Sequence, residues 1–185
     1  MYAQIVSKER RLPFSLTRVS TIAFLLAMAA LVPSLGLPQF ITGPMVNALL
    51  IVSVHTVGVT SAVAVGAVPS FVALANGVLP APMLVMIPFI VAGNAILVIV
   101  VGAARRINYW LAIVLGAVLK CAWLWAAVTV LVARPFRIQF GQSIQAVMVS
   151  DAMVNMFRWP QLWTAIVGGI LAYGIIQGYR RLSSR

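Results

Sequence analysis

Lys120 lies in the run VLKCAWLW, and no other charged residue occurs between Arg106 and Arg134. At 1.5 Å per residue of helix, that places its ammonium near the middle of a stretch long enough to cross a bilayer. A charge at that depth is costly and must face a partner or a polar cavity. Two roles fit: a contact to an anionic ligand, or a structural lysine bonded to carbonyls or to Asn94. Asn94, in the preceding apolar run, falls at a similar depth. It either joins Lys120 at a ligand or bonds a neighbouring helix through its amide. Asn47 and Asn76 fall in the outer parts of their runs, where they can line an external pocket. Trp123 follows Lys120 by three residues and is expected on the same face.

Other chemistries lack their residues. Glu9 and Asp151 are the only carboxylates, so no acid–base pair can form within the apolar body. One histidine, His55, and one cysteine, Cys121, cannot build a metal cage or a disulfide framework. No glycine-rich loop precedes a lysine in the manner of a phosphate cradle. The chain is therefore expected not to be an enzyme and to carry no cofactor. His55 is tempting as a haem or metal ligand, but with no co-ligand it reads better as a satisfied interior histidine.

The elements that must position these residues are apolar helices. Of 185 residues, 63% are hydrophobic and 8% charged, which leaves no room for a second, soluble domain. From Gly43 to Val101 there is no Asp, Glu, Lys or Arg. Such a stretch must lie in lipid or be enclosed by other apolar helices. The net charge of +11 comes from bases that flank the apolar runs. That is a positive-inside signal rather than a nucleic-acid surface.

The fold expected is all-α: a single domain of six transmembrane helices at about 16–32, 44–57, 60–76, 83–104, 109–132 and 160–179. The region 44–75 is too long for one span. Splitting it near Gly58 makes four crossings between the N-terminal bases and Arg105-Arg106, and so puts both on the cytoplasmic side. Both termini are then cytoplasmic. Lys8, Arg10, Arg11, Arg18, Arg105, Arg106, Arg180, Arg181 and Arg185 are inside, and Arg134, Arg137 and Arg158 outside. The first helix is expected to stop at Pro33, ahead of a Gly- and Pro-rich loop. The long segment 134–159 is the main outer loop, and residues 144–156 within it suggest a short helix lying on the outer face. Arg134, Arg137 and Arg158, against Asp151 alone, favour an anionic ligand, and Trp123, Trp159, Phe136 and Phe140 offer it flat apolar surfaces. Trp159 and Trp163 flank the outer interface, where aromatic belts occur.

Within the first helix, Ala23, Ala27 and Ala30 recur at i, i+4 and i+7, a small-residue stripe that lets another helix approach closely. That stripe, with TGPMVNALL, PSFVALANGVLPAPM, IPFIVAGNAIL and VLKCAWLW, resembles the integral-membrane substrate-binding S components of energy-coupling factor (ECF) transporters, over roughly residues 18–175. The resemblance implies an outward-open substrate pocket in a prokaryotic plasma membrane, and the flat aromatic surfaces suit a planar micronutrient, vitamin-like or tetrapyrrole. Lys120, Asn94, Asn47, Asn76, Trp123, Arg137, Arg158 and Trp159 are the candidate substrate-binding residues. It also implies a complex with one transmembrane coupling subunit, docked on the Ala23/Ala27/Ala30 face, and two ATPase subunits that hydrolyse ATP in trans. The competing classes are a stand-alone transporter or channel, and a non-transporting membrane scaffold. The first is expected to show repeat symmetry or several intramembrane ionisable groups, which this sequence lacks.

Overall fold

A computed structural model describes residues 16–77, 81–132, 136–140, 143–147 and 151–183. Lys8, Glu9, Arg10, Arg11, Arg134 and Arg185, which entered the topology argument, lie outside the described residues. The helices are α1 (Leu16–Ser34), α2 (Gln39–Thr56), α3 (Val59–Ala75), α4 (Ile87–Ala104), α5 (Tyr109–Val132), α6 (Asp151–Met156) and α7 (Trp159–Ser183). A 3-10 turn, Ala81–Met86, leads into α4. Among the described residues, four helical stretches are long and apolar enough to cross a membrane: Leu16–Ser34, Leu84–Ala104, Tyr109–Val130 and Val154–Leu182. The chain is a helical membrane protein.

Two proline positions differ from expectation. α1 runs one residue past Pro33, and α2 begins at Gln39 with Pro44 inside it. A proline removes one backbone donor but does not end a helix whose neighbours enclose the gap. The expected Gly- and Pro-rich loop thereby shrinks to 35–38, and α2 gains a full extra turn at its start. Gly58, at φ 91°, makes the tight turn into α3 that a side chain would disfavour.

The expected helix over 144–156 is corrected. Two short strands, β1 (Phe136–Phe140) and β2 (Ser143–Val147), pair antiparallel from Phe136↔Val147 to Phe140↔Ser143. FRIQF alternates apolar and polar residues, the period of a strand and not of a helix. Only Asp151–Met156 is helical. The other described elements are helices joined by short turns, so the all-α reading holds except at this hairpin.

Two apolar cores hold the bundle. The larger joins α1, α2, α3, α4, α5 and α7 around Leu50, Ile51, Val54, Val65, Leu97 and Ile113. The smaller, around Met86, Leu124, Val128, Val154 and Phe157, seats the α6 segment against α4 and α5.

Candidate functional site

The buried positions of α5 include Ile113, Ala117, Lys120, Leu124 and Val128. That spacing of four, three, four and four is one face of a helix, so α5 aims Lys120 inward with its most apolar stripe. The lysine is 3% exposed, and Asn47 and Asn94 are 2% exposed each. Lys120 Nζ donates to Asn47 Oδ1 at 2.6 Å and to Asn94 Oδ1 at 2.8 Å. Both distances suit charge-assisted bonds. Each amide then passes its own N–H on. Asn94 Nδ2 donates to the Gly66 carbonyl at 2.8 Å, and Asn47 Nδ2 to Thr164 Oγ1 at 3.4 Å. Thr164 Oγ1 donates to the Gln161 carbonyl at 3.2 Å. One polar chain thus ties α2, α3, α4, α5 and α7 at the centre of the bundle. A buried polar group with partners is inexpensive, and one without is not.

Close backbone approach makes this chain possible. A Cβ on Gly168 would sit 2.6 Å from Asn47 Cβ, 2.9 Å from the Pro44 carbonyl oxygen and 3.0 Å from the Ala48 nitrogen. Only the missing side chain lets α7 lie flat on α2 at the height of Asn47. Gly43 faces Thr164 in the same seam, where a Cβ would come within 2.7 Å of Thr164 Cγ2.

Thr164 belongs to two places. Besides ending the polar chain, it lines a hollow of about 560 Å³ with Phe40, Pro44, Met156, Trp163 and Val167. This hollow opens between the start of α2, the end of α6 and the start of α7. Gln39 Nε2 and Gln161 Nε2 both donate to the Met156 carbonyl, at 3.2 and 3.0 Å, and so fix its rim. Its wall is almost wholly apolar, and Phe40 and Trp163 are largely exposed. The volume is that of a small-molecule pocket.

Of the candidate residues, Lys120, Asn47 and Asn94 come together. Trp123 does not join them. Three residues turn a helix by about 300°, and the remaining offset carries the indole to the α4 side. There its Nε1 donates to the Phe89 carbonyl at 2.9 Å, with the ring partly exposed. Arg158 forms a separate cluster. Its guanidinium carbon lies 5.6 Å from the Trp125 ring centre, and Trp159 meets Trp125 edge-on at 5.4 Å. The Cys121 thiol donates to the Arg158 carbonyl at 3.4 Å, which brings this cluster beside the residue following Lys120. Buried Arg158 Nε has no hydrogen-bond partner. Asn76 lies apart, donating from Nδ2 to Ser34 Oγ at 2.8 Å where α1 and α3 end. Arg137 lies in β1. Ala23 and Ala27 are exposed and Ala30 half-buried, on the least buried of the four membrane-length helices.

Thr164, Gly168 and Trp125 were not singled out by the sequence. Small residues at 164, 168 and 172 of α7 were the available signal for the seam, the same spacing that marked Ala23 and Ala27. His55 is half-buried, with Nδ1 2.9 Å from the Ile51 carbonyl and its ring 5.9 Å from that of Tyr109. Among the described residues no group of His, Cys, Asp or Glu could hold a metal ion. No protein-family model, curated protein or solved structure matches this chain.

Proposed function

We propose that this chain is the substrate-binding membrane subunit of an ECF-type ATP-driven importer, capturing a small, anionic micronutrient on its outer face. The observation that carries the reading is the hollow over Thr164, whose hydrogen-bond chain runs through Asn47 to the single intramembrane lysine. Phe40 and Trp163 offer flat faces to a planar ring system. An ammonium has three N–H groups, and the two asparagines take two. The third is what Lys120 has to give a substrate carboxylate.

Six crossings are part of the proposal. The 18 residues of α2 and 17 of α3 span about 27 and 26 Å at 1.5 Å per residue, close to a hydrocarbon core of about 30 Å. Both termini are then cytoplasmic in a prokaryotic plasma membrane. The exposed Ala23/Ala27 face supports docking of a coupling subunit, with two ATPases behind it.

The reading as a non-transporting scaffold is favoured by one observation: Lys120 is almost fully enclosed and already bonded within the chain. The deciding experiment purifies the full chain and identifies retained small molecules by mass spectrometry. It then reconstitutes the chain with a coupling subunit and two ATPases in proteoliposomes. A retained compound whose uptake requires ATP is the expected result. Absence of both, or uptake by the chain alone, overturns the proposal.

A further inference from the structure

A second cavity, larger than the hollow over Thr164, lies at the other end of the bundle. It encloses about 760 Å³ between the start of α1, the end of α2, the α4–α5 turn and the last turns of α7. Arg18, Arg105, Arg106, Arg180 and His55 line it, and among the described residues its lining contains no carboxylate. Asp151, the one carboxylate among the described residues, is on α6. Two of the arginines are anchored. Arg105 Nη1 donates to the Val54 carbonyl at 2.7 Å, and Arg18 Nη2 to the Val57 carbonyl at 3.3 Å. These carbonyls end α2, where the helix dipole favours cations. The anchoring also holds two guanidinium forks at the cavity instead of letting them trail into solvent.

The rest of the wall is apolar. Val52, Val57 and Ile176 back the cavity, while Ile175 and Tyr179 continue it onto the outward face of α7, 55% and 66% exposed. A positive-inside bias alone requires bases near this end. It does not require them to converge from three distant parts of the chain onto one hollow with a greasy exit.

We propose that this cavity binds the phosphate of an anionic amphiphile, with the phosphate among the arginines and the apolar chain along Ile175 and Tyr179. Guanidinium forks match phosphate oxygens in pairs. Basic pockets between membrane helices take anionic headgroups for the same reason. The volume exceeds the needs of inorganic phosphate, and the Ile175–Tyr179 exit has no use for it. The inference does not depend on the importer reading, because the cavity shares no lining residue with the hollow over Thr164.

The test titrates short-chain phosphatidylglycerol, short-chain phosphatidylcholine and inorganic phosphate separately into the full chain in neutral detergent. Bound lipid is read by native mass spectrometry and thermal stability. Phosphatidylglycerol should bind and raise the melting temperature, phosphatidylcholine and inorganic phosphate much less. The exposed pair Arg106→Gln and Arg180→Gln together should weaken phosphatidylglycerol by about 10-fold or more, the loss expected for removing charged hydrogen bonds. Equal binding of the two lipids by the unaltered chain overturns the proposal even if the double variant folds poorly. So does a folded double variant that binds as tightly as the unaltered chain. Inorganic phosphate binding as tightly as phosphatidylglycerol would identify a soluble anion as the ligand and overturn the amphiphile.

Discussion

Lys120 Nζ and Asn47 Oδ1 lie 2.6 Å apart at the centre of the bundle, joining residues 73 positions apart in sequence. With Asn94 as second acceptor, the lysine is the hub of the polar chain across five helices. Replacing it with methionine orphans two buried amide oxygens. Lys120→Met should destabilise the protein by about 1–3 kcal/mol for each acceptor left unmet, read as a lower melting temperature in detergent. If the lysine also holds a substrate carboxylate, the folded fraction should lose at least ~2 kcal/mol of affinity. A lower melting temperature with unchanged affinity would confine Lys120 to holding the helices.

Gly168 permits the approach of α7 to α2 at Asn47, so a methyl group there must push the helices apart. Gly168→Ala should cost about 1–3 kcal/mol, the range for overpacking. At Gly174 in the same helix a Cβ would meet nothing within 4 Å. Gly174→Ala should be neutral or stabilising by up to ~1 kcal/mol through helix propensity. Melting curves of the two variants should therefore move in opposite directions, and equal losses would place the tight contact elsewhere.

Ala27 is exposed on α1, so a larger side chain there can extend away from the core. Ala27→Trp should leave melting temperature and substrate binding by the isolated chain unchanged. If the chain is the importer subunit proposed above, assembly with its coupling subunit, and with it ATP-dependent uptake, should be abolished. Uptake that survives the substitution would move the docking surface away from this face.

Leu35 and Ile107 are both exposed, at the ends of α1 and α4. Three helices separate them, so they belong on opposite sides of the membrane if α2 and α3 each cross it. In a Cys121→Ala background, Leu35→Cys and Ile107→Cys should react with an impermeant thiol reagent from opposite sides. Labelling of both from one side would remove the six-crossing arrangement.

Much of this architecture was legible because long apolar runs between bases leave few alternatives. The 109–132 helix coincides with α5 for that reason. Helix boundaries were less legible where Pro33 and Pro44 look like breaks, since neighbouring helices decide whether a proline ends a span. The hairpin at 136–147 was legible in principle, but the alternation of FRIQF was outweighed by the apolar residues that follow it. At the site, depth along the helices paired Lys120 with Asn94. It sets Asn47 too far out, because the sequence alone starts α2 at 44, five residues after its observed start at Gln39. Thr164 carried no signal of its own, since a threonine in an apolar helix looks the same whether it faces lipid or a partner. The meeting of Arg18, Arg105, Arg106 and Arg180 at one cavity was visible only as a shared side, because charge counting contains no lateral position.

The bond from Arg18 to Val57 and the bond from Asn76 to Ser34 hold the two ends of α1. Both reach the α2–α3 hairpin, one at its turn and one at its far tip. The first helix is thus a strut pinned at both ends, with one flank packed and the other bare. A sideways load on the bare flank passes through both pins at once.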